Sequence, residues 1–267
     1  MSSTPPEPVL IFDSGVGGLS IHAALTARLP GLPLVYACDN AAFPYGPWPQ
    51  AELVERVHTV LDALIARYQP QLVVVACNTA STVALPRLRQ DFKVPFVGVV
   101  PAIKPAARLS RNRIIGLLAT PGTVSRPYTD QLIADFAADC TVVRLGSTTL
   151  VEWAETKLRG RPVDLNALRQ LLAPLFAHER GPVDTVVLGC THFPLLVEEL
   201  QAATPEPVLW VDSGNAIARR VETLLGKPVD NRPVAARAVF TARHDDVEEL
   251  RPALAQRGFG IIEFLPV

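Results

Sequence analysis

Two short apolar runs, each closed by a cysteine, constrain the fold of this chain more than any other feature. Val73-Val74-Val75-Ala76-Cys77-Asn78-Thr79 and Val186-Val187-Leu188-Gly189-Cys190-Thr191-His192 share one design: an apolar, valine-rich stretch, a small residue, a thiol, then polar residues. Such runs read as strands buried on both faces, the habit of parallel sheets. In open parallel sheets ligands bind beyond the carboxyl ends of the strands. Each thiol therefore falls where chemistry is done. A free cysteine is often only a small buried hydrophobe. The repeated setting argues for a working pair.

The rest of the chain fits the same plan. Strand-like runs recur at Val9 to Phe12, Leu34 to Ala37, Leu72 to Ala76, Pro95 to Val99, Ile114 to Leu118, Thr141 to Leu145, Thr185 to Leu188 and Val208 to Val211. Between them lie stretches with apolar residues at helical spacing, such as Ala51 to Tyr68 and Leu165 to Ala177. This alternation implies parallel sheets with right-handed crossovers. It also repeats. Ile11-Phe12-Asp13-Ser14-Gly15 resembles Leu118-Ala119-Thr120-Pro121-Gly122, and Val97-Gly98-Val99 has a counterpart near Trp210-Val211. The expected fold is α/β, with two similar Rossmann-like lobes whose parallel-type sheets face each other across a cleft. The first lobe takes 1–98 with 212–267, the second 99–211. The tail, with a helix from about Asn215 and a strand near Ala238 to Thr241, is too short for a third domain and is expected to complete the first sheet.

Composition removes whole classes of function. Of 267 residues, 49% are hydrophobic and 19% charged, enough for a buried core and too apolar for disorder. The formal net charge of -1 offers no basic field for nucleic acid. No apolar run is long enough to span a membrane. Met1 to Pro8 is polar and proline-rich, without a signal pattern. Cys38, Cys77, Cys140 and Cys190 form no CxxC pair and no zinc-like spacing with histidine. The expected setting is the cytoplasm, with reduced thiols.

Four motifs carry chemistry. Asp13-Ser14-Gly15-Val16-Gly17-Gly18 ends a strand and opens a helix. Ser20 stands where a dinucleotide fingerprint needs its third glycine, so carboxylate binding at the helix start is favoured over a nucleotide. Asp13 can tune a neighbouring thiol or simply cap the helix. Pro44-Tyr45-Gly46-Pro47 is a turn whose amides and Tyr45 can close over a ligand. Cys77 leads into a helix, whose N-terminus favours the thiolate, and Asn78 and Thr79 offer short donors. His192, two residues past Cys190, can shuttle that thiol's proton. A cysteine hydrolase needs one thiol and leaves the second idle. Stereoinversion uses both: one thiolate removes a proton from a stereocentre and the other thiol delivers one to the opposite face.

These segments closely resemble the glutamate racemases of the cofactor-independent aspartate/glutamate racemase superfamily. The resemblance runs from Phe12-Asp13-Ser14-Gly15-Val16-Gly17-Gly18 to Val211-Asp212-Ser213-Gly214. Its most specific parts are Ala76-Cys77-Asn78-Thr79-Ala80-Ser81 and Leu188-Gly189-Cys190-Thr191-His192-Phe193-Pro194-Leu195-Leu196, supported by Pro44-Tyr45-Gly46 and Gly116 to Thr123. It implies interconversion of L- and D-glutamate for peptidoglycan, with neither metal nor pyridoxal phosphate. Cys77 and Cys190 would be the acid/base pair, assisted by Asp13, His192 and Glu152. Substrate contacts would fall on Asp13, Ser14, Tyr45, Gly46, Asn78, Thr79, Thr191 and His192. Pro47-Trp48-Pro49 departs from the polar or basic residues the family often has there. The resemblance is compatible with a homodimer. It leaves open binding of DNA gyrase and regulation by a cell-wall precursor, both properties of some relatives. The alternatives are a racemase for aspartate or another acidic amino acid, and a non-catalytic amino-acid-binding protein.

Overall fold

The computed structural model describes residues 7–177, 179, 181–204, 207–226 and 232–267. Most of the proline-rich start lies outside them. The chain divides into two units. One ends at Val99 and resumes at Gly214; the other spans Val100–Ser213.

The first unit opens with β1 (Val9–Asp13), β2 (Leu34–Cys38), β3 (Leu72–Val75) and β4 (Phe96–Gly98). The second holds β5 (Ile114–Ala119), β6 (Thr141–Gly146), β7 (Thr185–Leu188) and β8 (Leu209–Val211). The returning tail adds β9 (Ala236–Phe240) and β10 (Phe259–Phe264) to the first sheet. The strand orders are β10-β9-β2-β1-β3-β4 and β6-β5-β7-β8, and every pairing is parallel. Each unit therefore carries the same four-strand pattern, second-first-third-fourth, and the expected repeat of strand order holds.

The repeat is offset by one residue from the phase that the glycine motifs suggested. Phe12 pairs with Val75, and Leu118 with Leu188. The amide of Ala76 donates to Phe12 O at 2.7 Å, and that of Gly189 to Leu118 O at 2.8 Å. Asp13 thus corresponds to Ala119, not Thr120. By the same register, Cys77 and Cys190 occupy equivalent positions, each two residues past its paired strand residue.

The strands form where the sequence alternates short apolar runs with amphipathic helices. Leu10, Phe12, Val73 and Val75 share one core with Leu53, Val57, Leu61 and Leu64 of the helix Gln50–Tyr68. Those four helix residues recur at three- and four-residue spacing, which puts them on one face. Each such side chain contributes about 1.5–3 kcal/mol on burial. In the second unit Ile115, Leu117 and Val187 pack with Ile103, Ala106 and Ala107 of the helix Ile103–Leu109. Among the described residues no helix is long and apolar enough to cross a membrane.

Candidate active site

In the first unit the site is built at the carboxyl ends of β1 and β3. Asp13, fully buried at the end of β1, is a clamp. Its Oδ1 accepts from the amide of Ser14 at 2.7 Å and its Oδ2 from that of Gly18 at 2.5 Å. The carboxylate thereby folds the glycine-rich turn that precedes the helix Leu19–Arg28. The Tyr36 hydroxyl donates to the Gly15 carbonyl from the other side. Gly18 has to be glycine: a Cβ there would lie 2.9 Å from the Tyr36 ring and 3.1 Å from the Cβ atoms of Ala76 and Asp13.

Cys77 is the N-cap of the helix Asn78–Asp91, and its Sγ accepts from the amide of Ala80 at 3.5 Å. An N-cap thiol that takes a backbone N–H at the positive end of a helix is favoured as thiolate. The Ser14 hydroxyl lies 3.9 Å from the same sulfur. Asn78 and Thr79 are buried beside it. Asn78 Oδ1 is buried with no hydrogen-bond partner, an acceptor open to a donor from a ligand.

Tyr45 is placed differently from its expected role. Its ring is buried against Phe12 and Trp48, and its hydroxyl donates to Asp39 Oδ2 at 2.6 Å. Burial, then the charge of Asp39, raises the phenol well above its ordinary pKa of 10. The hydroxyl is committed to the interior, so what this turn presents outward is the exposed backbone of Gly46. Asp39 itself was not singled out from the sequence. It also accepts from Arg56 Nε and Nη2, at 2.9 and 2.6 Å, and from the Thr241 hydroxyl at 2.7 Å. Its amide donates to the carbonyl of Asp13 at 2.9 Å. These partners are remote in sequence, and no local motif announces them.

In the second unit Cys190 follows β7. Gly189 before it permits close packing, because a Cβ there would meet that of Ala119 at 2.9 Å. The Cys190 sulfur is 3.8 Å from His192 Nδ1, and His192 Nε2 is 2.8 Å from Glu155 Oε1. Arg159 Nη1 donates to Glu155 Oε2 at 2.8 Å. Burial alone would lower the imidazole pKa. Hydrogen bonds to Cys190 and Glu155, with their charges, outweigh it and hold His192 well above 6.5. His192 stands at the N-cap position of the single 3-10 turn Phe193–Leu196, not of an α-helix, and Thr191 is buried beside it. Glu152, expected to assist the thiol pair, is exposed on the helix Thr149–Leu158; the carboxylate in contact with His192 is Glu155, three residues further on.

The two thiols thus sit at equivalent strand ends in unlike settings. One is held by a helix N-terminus and a hydroxyl, the other by an imidazole and a carboxylate. Both are buried, at 7% exposure, and neither is in a disulfide. Among the described residues no group of three or more His, Cys, Asp or Glu side chains is arranged to hold a metal ion.

Residues 19–221 match the model of the Asp/Glu/hydantoin racemases. The chain belongs to the Asp/Glu/hydantoin racemase family. It is an amino-acid racemase, an isomerase. It is 52% identical to a curated glutamate racemase from Klebsiella pneumoniae (strain 342), covering 100% of this chain and 96% of that one. Its fold is similar to the crystal structure of the Escherichia coli glutamate racemase in complex with L-glutamate and the activator UDP-MurNAc-Ala, with a TM-score of 0.92, 52% identity and coverage of 98% and 99%. Glutamate racemase isoform RacE1 from Bacillus anthracis is more distant, with a TM-score of 0.82, 26% identity and 96% coverage of both chains.

Proposed function

We propose that this racemase interconverts L- and D-glutamate by two-base proton transfer, with Cys77 and Cys190 as the bases. The observation that carries the reading is the equivalence of the two thiols, each two residues past the matching position of the third strand of its unit. One thiolate takes the α-proton, so a C–H bond breaks and an S–H bond forms. The electron pair left on carbon is delocalised into the α-carboxylate. The other thiol then gives its proton to the opposite face and becomes the thiolate. Full-length similarity to named glutamate racemases supports glutamate over aspartate. The product would supply D-glutamate for peptidoglycan, and the site would work in the cytoplasm without pyridoxal phosphate or metal.

The remaining residues take supporting roles in this scheme. Asp13 shapes the turn beside Cys77, and His192 serves Cys190. Ser14, the backbone at Tyr45 and Gly46, Asn78, Thr79, Thr191 and His192 would hold the substrate. The unpartnered side-chain Oδ1 of Asn78 suits an ammonium donor. A chiral assay of the purified protein with each enantiomer of glutamate and aspartate tests the reading. Racemisation of glutamate with little turnover of aspartate is expected. Preferred turnover of aspartate would reassign the substrate. Binding of glutamate without α-proton exchange in deuterated water would make the protein a binder.

A further inference from the structure

We infer that Ser81 is a positioning residue for the first thiol: its hydroxyl ties the helix that Cys77 caps to the ends of β3 and β4. This rests on the two-thiol reading above and concerns the Cys77 side of it.

A serine inside a helix commonly turns its hydroxyl back to the carbonyl four residues earlier. Thr82, with a hydroxyl of the same kind, does so: its Oγ1 donates to Asn78 O at 2.8 Å. Ser81, one residue before it and buried, does not. Its Oγ reaches six residues back, out of the helix, and donates to Val75 O at 2.8 Å. The same oxygen accepts from the amide of Val99, just past β4, at 3.0 Å. The Ser81 amide meanwhile donates to Cys77 O at 2.8 Å. One residue therefore holds the carbonyls of Val75 and Cys77, on either side of Ala76, and so pins the turn that carries the thiol. Gly98 lets the helix come this close, because a Cβ there would lie 2.1 Å from Leu85 Cδ1 and 3.3 Å from Ser81 Oγ.

This placement matters to the thiolate. Cys77 Sγ is stabilised by the Ala80 amide and by the positive end of the helix, effects that fall off within the first turn. A helix start that drifts from the strand end weakens both. Ser81 touches no reacting atom and acts through the backbone around Cys77. The second unit supplies the contrast. Four residues past Cys190 stands Pro194, with neither an amide hydrogen nor a hydroxyl. There the chain closes a 3-10 turn instead, with the Phe193 amide donating to Cys190 O at 3.1 Å. The tether belongs to the thiol that relies on a helix N-terminus, and the thiol beside an imidazole lacks it. Losing the hydroxyl also leaves the strands joined, since the Val99 amide lies 3.2 Å from Val75 O. What Ser81→Ala removes is the helix's share of that junction.

The experiment compares Ser81→Ala, Ser81→Thr and Thr82→Ala with the parent protein. Iodoacetamide labels the thiols over a range of pH, and peptide mass spectrometry reads each cysteine separately. Labelling follows the thiolate, so the pH profile of each cysteine reports its own setting. In Ser81→Ala the Cys77 profile should move to higher pH, with labelling at pH 7 slowed about threefold, part of what a helix terminus is worth to a charge. The Cys190 profile should stay in place. Racemisation should lose about 10-fold in kcat/KM, below the roughly 100-fold that a 1 Å misplacement can cost. Ser81→Thr keeps the hydroxyl and should restore the parent Cys77 profile. Thr82→Ala removes a hydroxyl that binds within the helix and should leave that profile unchanged. A merely structural role would move both thiols together, or lower activity with neither profile moved.

The inference is overturned if the Cys77 profile of Ser81→Ala does not move, if the Cys190 profile moves with it, or if Thr82→Ala or Ser81→Thr moves it as far. Should Ser81→Ala fail to fold by circular dichroism, Ser81→Cys carries the same readout. Its longer, weaker bond should shift Cys77 the same way by a smaller amount, and no shift would overturn the inference. Cys77→Ser separates the two levels. If it still racemises glutamate, the two-thiol reading fails, and labelling alone judges the hold of Ser81 on Cys77. If it is inactive while Ser81→Ala labels as the parent does, the present inference fails and the two-thiol reading stands.

Discussion

His22 gives this fold a built-in acid weakness, which a single substitution should remove. The ring lies on the helix Leu19–Arg28 with 2% exposure, its centroid 4.4 Å from that of Phe259. Neither ring nitrogen has a hydrogen-bond partner. Burial, then the nearby charge of Arg257, lowers its pKa from 6.5 to about 4. Above pH 6.5 the ring is neutral whether the chain is folded or unfolded, and stability does not depend on it. Between 6.5 and 4 the unfolded chain takes up a proton that the folded one refuses, so stability falls as pH falls. Each unit of pKa difference is worth about 1.4 kcal/mol, which makes the full loss about 3 kcal/mol and the loss at pH 5 about 2 kcal/mol. Below pH 4 both states are protonated and the loss stops growing. His22→Leu deletes the titration together with two unmet polar atoms. The variant should be more stable by about 1 kcal/mol at pH 7.5, since relief of orphaned polar groups exceeds the lost ring contact. Its advantage should widen by about 2 kcal/mol at pH 5. Urea unfolding of both proteins at several pH values checks this, because other titrating groups are common to both and cancel. Parallel stability curves from pH 7.5 to 5 would refute the reasoning.

Three further outcomes are expected. Asp39→Asn should destabilise the protein by about 3 kcal/mol, because it leaves the partly buried Arg56 without its counter-charge; urea unfolding at neutral pH measures it, and a loss below about 1 kcal/mol would contradict the role of this ion pair. Asp13→Asn and His192→Asn should each lower kcat more than they raise KM, since one shapes the turn beside Cys77 and the other serves Cys190; a pure KM effect in both, read from initial rates, would make them binding residues only. Racemisation should survive a metal chelator and need no added pyridoxal phosphate; loss on chelation, restored by added metal, would be incompatible with the thiol scheme.

How far the fold was readable depended on burial. Strands covered on both faces announce themselves, and Thr185–Leu188 falls where its valine-rich run places it. β9 joined the first sheet as the length of the tail implied. β10 was not recognised, because this edge strand is only partly covered and Phe259–Phe264 shows no clean alternation. The thiols were legible because their local settings repeat. The contacts of Asp39 were not, since its partners Arg56 and Thr241 come together only through the tertiary fold. Glu155 lay between these cases. Motif transfer selects Glu152, yet the helical phase of Leu150, Ala154 and Leu158 already puts Glu155 on the apolar face.

The most direct test of the central claim follows the label in early turnover in deuterated water. Two bases on opposite faces predict that product is deuterated while recovered substrate stays protiated, from either enantiomer, because the thiol that gives the proton is not the one that took it. The same asymmetry should therefore appear starting from L-glutamate and from D-glutamate. Deuterium appearing equally in recovered substrate and product from the first turnovers would contradict the account and point to one base serving both faces.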